Sequence, residues 1–277
     1  MAGARVVPRE ARQILTRTGG YLTRFTHTLQ PYVGCQFSCV YCYVREMAVQ
    51  KTNPYGLPFS AWISPKRNAV ELLARAAKRP SFAHTRIFCS SSTDPYTPLE
   101  RTERLTRGCL EVMVEHPPEA LVLQTRSPLI ERDAELIARL PRAAVSFTVT
   151  TDDEAVRRAF EPDSPRFARR IQVLAALRAK GLRVQAAISP LLPCDPERLA
   201  VALAPHVDRV VVDDLFAGDG AGGRRSGPAL ERLRALGYEA WAEPDLAERS
   251  LDRFRAVLGP DRVAHSQAGF NDLSWLT

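Results

Sequence analysis

Short apolar runs alternate along this chain with longer stretches whose apolar residues recur at helical spacing, the pattern of βα units in a parallel sheet. Runs at residues 28–33, 85–89, 120–124, 143–148, 183–188 and 209–212 predict six strands. Residues 65–78, 100–114, 130–139, 167–179 and 196–204 predict intervening helices, with Gly181 placed to stop the fourth. Six strands in this order predict an α/β fold, an open (β/α)6 partial TIM-type barrel with function at the C-terminal ends of its strands. The expected division is an N-terminal extension over 1–20, a core barrel over 21–215 and a short C-terminal cap over 216–277. Within the last part, 218–227 is too glycine-rich to pack and is expected to move over or beside the mouth. Beyond it the pattern predicts a helix over 228–236, a strand over 239–242, a helix over 246–257 and an irregular tail ending in Trp275. No internal repeat or low-complexity linker argues for a second independent domain.

Composition narrows this picture. The 277 residues, 45% of them apolar, suffice for a sizeable core, and α/β barrels run to about 200–250 residues as one unit. No apolar run approaches the roughly 20 residues that span a bilayer. The basic N-terminus, Met1 to Arg12, lacks an apolar stretch for export, so a cytoplasmic protein without a membrane partner is expected. A net charge of +7 invites a nucleic-acid partner. Its distribution does not favour one, because lysine occurs only at 51, 66, 78 and 180 and the arginines alternate with Ala, Leu and Glu as on solvated helix faces.

The candidate chemistry lies in Cys35-Gln36-Phe37-Ser38-Cys39-Val40-Tyr41-Cys42. Soft thiolates at this spacing suit an iron–sulfur cluster. With three ligands for four irons, one iron is left open to bind a small molecule. A structural zinc site needs four closed ligands, whereas His27 lies upstream and Cys89 far downstream. A disulfide framework does not suit a chain of this length without a secretory signal.

The spacing, with an aromatic residue before the third cysteine, resembles the signature of the radical S-adenosylmethionine superfamily. The flanking Pro31-Tyr32-Val33-Gly34-Cys35 and Tyr41-Cys42-Tyr43, together with Thr93-Asp94-Pro95-Tyr96-Thr97-Pro98-Leu99-Glu100, resemble its spore photoproduct lyase-like branch over about residues 25–196. The resemblance implies a 4Fe-4S cluster on Cys35, Cys39 and Cys42, with S-adenosylmethionine chelated at the open iron and cleaved reductively. It also implies a reducing partner such as flavodoxin or ferredoxin, and lyase-like or modification chemistry on an unidentified substrate. A non-enzymatic iron–sulfur or zinc protein, sensing redox state or carrying electrons, is the competing class.

The resemblance carries further roles. Ser92, Thr93 and Asp94 would accept the cofactor ammonium, although an Asx-type turn before Pro95 also explains Asp94. Arg126, in Thr125-Arg126-Ser127, stands where the family has lysine and would meet the cofactor carboxylate. Thr148 would touch the cofactor or simply be a buried strand threonine. Glu161, Arg169 and Arg170 would brace the barrel by ion pairing. Tyr41 would lie against the adenine and Tyr43 toward the substrate, as a radical relay or as packing. The resemblance does not extend to Cys194, where the common pattern has Gly; from its position after the fifth strand this thiol would donate a hydrogen atom, line the substrate pocket or pack, while Cys89 and Cys109 read as small buried hydrophobes.

Overall fold

The computed structural model describes residues 4–276 apart from 52 and 54. Eleven strands are present among them: β1 (Arg5–Val6), β2 (Leu15–Arg17), β3 (His27–Leu29), β4 (Tyr32–Gly34), β5 (Trp62–Pro65), β6 (Arg86–Cys89), β7 (Ala120–Thr125), β8 (Ala143–Thr148), β9 (Arg183–Ile188), β10 (Arg209–Val212) and β11 (Val263–His265). Eight form one sheet in the order β11-β10-β9-β8-β7-β6-β3-β2. Every pairing in it is parallel except β2 with β3. The six expected strands, β3 and β6–β10, therefore stand side by side in the expected order, and the sheet stays open, with β2 and β11 at its edges.

Strand periodicity sorts side chains between the two faces. Leu121, Leu123, Val145, Phe147, Val184, Ile188, Val210 and Val212 pack in the main core with Leu110, Val173 and Leu199 from the surrounding helices. The opposite, concave face carries polar groups that bond to one another, since a buried amide or hydroxyl is costly without a partner. Gln124 donates to Thr148 at 2.8 Å, Gln185 to Ser146 at 2.8 Å, and Arg209 to Gln185 at 2.8 Å. Arg209 also lies 4.6 Å from the Trp275 ring centroid and pairs with Asp272 at 2.5 Å.

Several elements depart from the sequence expectation. The run 28–33 divides into β3 and β4, because Pro31 has no N–H for a ladder and its carbonyl instead accepts from Lys66 N–H at 3.0 Å. β4 consequently joins a separate sheet, β1-β5-β4. The helix expected over 100–114 is interrupted at Arg104, whose φ is 54°. The buried Glu100 carboxylate accounts for the break, accepting from the N–H groups of Thr106 at 2.9 Å and Arg107 at 3.1 Å at the start of Leu105–Glu115. Residues 239–242 form a 3-10 turn rather than a strand, held by Trp241 N–H to Tyr238 O at 2.9 Å. The tail is not irregular. β11 pairs with β10, and Ser266–Asn271 is helical. Segment 218–227 packs as well: buried Asp219 accepts from the N–H groups of Ala221, Gly223 and Arg225 at 2.6, 3.1 and 2.7 Å. No helix among the described residues is long and apolar enough to cross a membrane.

Candidate active site

The cysteine loop leaves β4 through Gly34, a position open only to glycine. Its φ is 79°, and a Cβ there would lie 2.7 Å from the Trp62 carbonyl oxygen. The loop is then fastened along its length. Gln36 accepts from Thr97 Oγ1 at 2.6 Å and Leu99 N–H at 2.9 Å, tying it to the segment after β6. Val40 N–H donates to Phe160 O at 2.9 Å, and Arg45 donates to the Cys39 carbonyl through Nε at 3.0 Å and Nη2 at 2.9 Å. Cys35 and Cys39 are buried and Cys42 is half-buried.

All three cysteines line one cavity of about 570 Å³, which also receives Tyr41, Tyr43, Ser92, Thr93, Asp94, Arg126 and Thr148. Residues from the ends of β6, β7 and β8 thus meet the cysteine loop, as the barrel pattern predicts. Cys194 is not brought in. Thr151 Oγ1 holds the Pro193 carbonyl at 2.6 Å, and Asp195 caps helix Pro196–Leu203, so residue 194 packs half-buried at the edge of the main core. That placement corrects its reading as a pocket residue. Cys89 and Cys109 lie in the main core as small hydrophobes.

The polar residues are bound more fully than the sequence suggests. Asp94 Oδ1 accepts from Thr125 Oγ1 at 2.6 Å and Tyr96 N–H at 2.9 Å, and Oδ2 from Arg126 N–H at 3.0 Å. It makes the expected Asx-type bond and also clamps the β7 exit; burial outweighs these bonds and raises its pKa. Behind it, Glu161 is fully buried. It accepts from Tyr41 and from Arg170, from Arg126 at 2.6 Å and from Thr150 at 3.0 Å. Burial alone pushes that carboxyl up, but Arg170 and Arg126 outweigh it and hold it at about 2. The expected bracing is therefore seen for Glu161 with Arg170, while Arg169 pairs with Glu131. The Arg126 guanidinium also lies 5.6 Å from the Tyr41 ring centroid, and the Tyr43 hydroxyl donates to the Ser91 carbonyl.

The donor set suits an iron–sulfur cluster with an organic cofactor beside it. Burial raises all three thiols, Cys42 to about 12, so these protons leave when metal binds. Across the cavity, Gln124 Oε1 is buried without a hydrogen-bond partner, an acceptor suited to a ligand N–H or O–H. Among the described residues, no three His, Cys, Asp or Glu side chains are grouped as a site for a single metal ion.

A further wall escaped the sequence reading. Asp213, following β10, accepts from Tyr21 OH at 2.7 Å, and Phe270 lies 6.1 Å from the Tyr21 ring, centroid to centroid. All three line the cavity. Burial raises Asp213 to about 6. An acidic pair at the C-terminal end of a barrel strand was the available signal for Asp213; nothing local marked Tyr21 or Phe270.

An open parallel α/β sheet, with three thiols and a polar cavity at its strand ends, defines a partial-barrel enzyme built around an iron–sulfur cofactor. The sequence model of the Radical SAM superfamily matches residues 29–198, and the chain belongs to that superfamily. Its cofactors are accordingly a 4Fe-4S cluster and S-adenosylmethionine. The uncharacterized protein MJ0683 of Methanocaldococcus jannaschii is 31% identical over 167 residues, 60% of this chain and 61% of that protein. The uncharacterized protein Rv2578c of Mycobacterium tuberculosis is 27% identical over 61% of this chain and 50% of its own length. The matches thus span about half to three fifths of these curated relatives. A solved structure of a spore photoproduct lyase variant with bound AdoMet and dinucleoside spore photoproduct has a TM-score of 0.62 at 14% identity, covering 95% of this chain and 81% of that one. At that identity the likeness is one of fold.

Proposed function

We propose that Cys35, Cys39 and Cys42 hold the cluster and that Ser92, Thr93, Arg126 and Thr148 face S-adenosylmethionine in the adjoining cavity. A reduced cluster held by these thiols would supply the electron for reductive cleavage of the cofactor, and with it the means to abstract hydrogen from a substrate. The observation that carries this reading is the single cavity shared by the three thiols and the strand-end polar residues. Asp94 acts by positioning, because its carboxylate fixes Thr125 and the Arg126 backbone. Glu161 anchors the Arg126 guanidinium and the Tyr41 hydroxyl beside the thiols. Gln124 Oε1 and the Thr148 hydroxyl offer an acceptor and a donor to the ligand. Tyr43, next to Cys42 on the cavity wall, faces the substrate side and excludes water. Cys194 receives no part in hydrogen transfer, since it lies outside the cavity. A simple electron carrier has no use for a 570 Å³ chamber beside its thiols.

A phosphate-bearing substrate is the second reading. Arg17 and Arg225 line the cavity, and neither forms an ion pair among the described residues.

Anaerobic reconstitution tests the main proposal. The protein should bind about four irons, and with dithionite it should turn S-adenosylmethionine into 5′-deoxyadenosine and methionine. Replacing Cys35, Cys39 and Cys42 by Ala should abolish both. Stoichiometric zinc in place of iron overturns the proposal.

A further inference from the structure

The cysteine loop has a second face. A groove of about 510 Å³ is lined by Val40, Arg45, Pro228, Glu231, Arg232 and Ala235, none of which lines the main cavity. The loop is therefore a partition, with thiols on one side and Val40 and Arg45 on the other. Arg45 is bound directly to the thiol-bearing chain, donating through Nε and Nη2 to the Cys39 carbonyl at 3.0 and 2.9 Å.

The surroundings of this groove are basic. Arg232 stands exposed on helix Gly227–Ala235 and reaches the Ala159 carbonyl at 3.4 Å, next to exposed Arg158 on helix Glu154–Phe160. None of Arg45, Arg158 and Arg232 forms an ion pair among the described residues, and Glu231 is the one acid lining the groove. Exposed Leu236 adds an apolar spot at the end of the same helix.

We infer that this groove is the docking site of a small acidic protein that carries one electron. The inference rests on the cluster assignment proposed above. Reductive cleavage consumes one electron per event, and the main cavity must hold cofactor and substrate, so the electron enters through the loop's outer face. In the transfer step the carrier's redox centre loses one electron and the cluster gains it; no bond forms and no proton moves. A donor in the groove is separated from the Cys39 side chain by the Arg45 contact and that residue's own covalent bonds. Electron-transfer encounters are small and owe their rate to complementary charge, which three unneutralised arginines supply to an acidic partner.

The test compares two reductants on the reconstituted full-length chain, following 5′-deoxyadenosine at limiting carrier. Dithionite needs no docking face; a reduced acidic ferredoxin does. The double variant Arg158→Glu, Arg232→Glu should keep wild-type dithionite-driven cleavage and lose about tenfold or more of the ferredoxin-driven rate. Glu231→Lys should raise the ferredoxin-driven rate. Raising salt from about 0.01 to about 0.15 M should slow ferredoxin but not dithionite, because the screening length falls from about 30 to about 8 Å. Unchanged ferredoxin rates in the double variant overturn the inference, as do equal losses with both reductants, or a wild type that accepts no electrons from ferredoxin. No cleavage with dithionite in the wild type overturns instead the cluster assignment.

Discussion

Glu161→Gln isolates one charge at the centre of the site. Glutamine keeps the size of the side chain and an acceptor for Tyr41, but leaves the guanidinium groups of Arg126 and Arg170 without their shared counter-ion. A carboxyl held at about 2 instead of 4.5 is favoured in its charged form by about 3 kcal/mol. Removing one partner of a buried pair independently suggests about 3–5 kcal/mol. The metal-free variant should therefore melt about 6–12 °C lower at pH 7. The sign with pH follows from the depressed value. The stabilisation is complete above 4.5 and is lost as pH falls toward about 2, so the gap to wild type should stay level from neutral pH to about 5.5 and close below about 4. Iron content should survive, because no thiol is touched, while 5′-deoxyadenosine formation drops as Arg126 and Tyr41 lose their anchor. A melting point within about 2 °C of wild type, less than about 1 kcal/mol, refutes the claim that this charge stabilises the fold.

Two further substitutions probe the cavity's limits. Cys194→Ala should leave iron content, cofactor cleavage and product distribution unchanged; diversion of substrate to side products, followed by mass spectrometry, would return Cys194 to the chemistry. Asp213→Asn should remove a pH-dependent cost. A carboxyl raised from 3.8 to about 6 contributes stability below 3.8 that is lost as pH rises through about 6, worth about 3 kcal/mol. Urea midpoints between pH 4 and 7.5 should thus shift in the variant's favour as pH rises, and a pH-independent difference defeats the assignment.

Legibility followed the distance over which each feature is encoded. β8, β9 and β10 coincide with their predicted runs, because apolar residues mark the core face of each strand even though Ser146, Gln185 and Arg209 turn to the other face. β11 is three residues long, too short for a period to show. Pro31 could have warned that one apolar run was two strands. The thiols were legible because all three lie within eight residues. Asp94 was legible as a site residue but not as a clamp, since its partners Thr125 and Arg126 arrive from the next βα unit. The Tyr21–Asp213 contact joins positions 192 apart and has no local signature.

That contact bears on the order in which the molecule is made. The cavity wall is closed by the meeting of a segment near residue 21 with the helix Ser266–Asn271, where Asn271 bonds to Tyr21 O at 2.7 Å and to Arg24 N–H at 2.9 Å. The two sides of the second bond are separated by 247 residues. At ordinary elongation rates the ribosome needs roughly 12 to 50 s to span them. For nearly all of that interval the cysteines are already synthesised while the residues that complete their chamber are not, so the nascent chain exposes its thiols before that chamber can form.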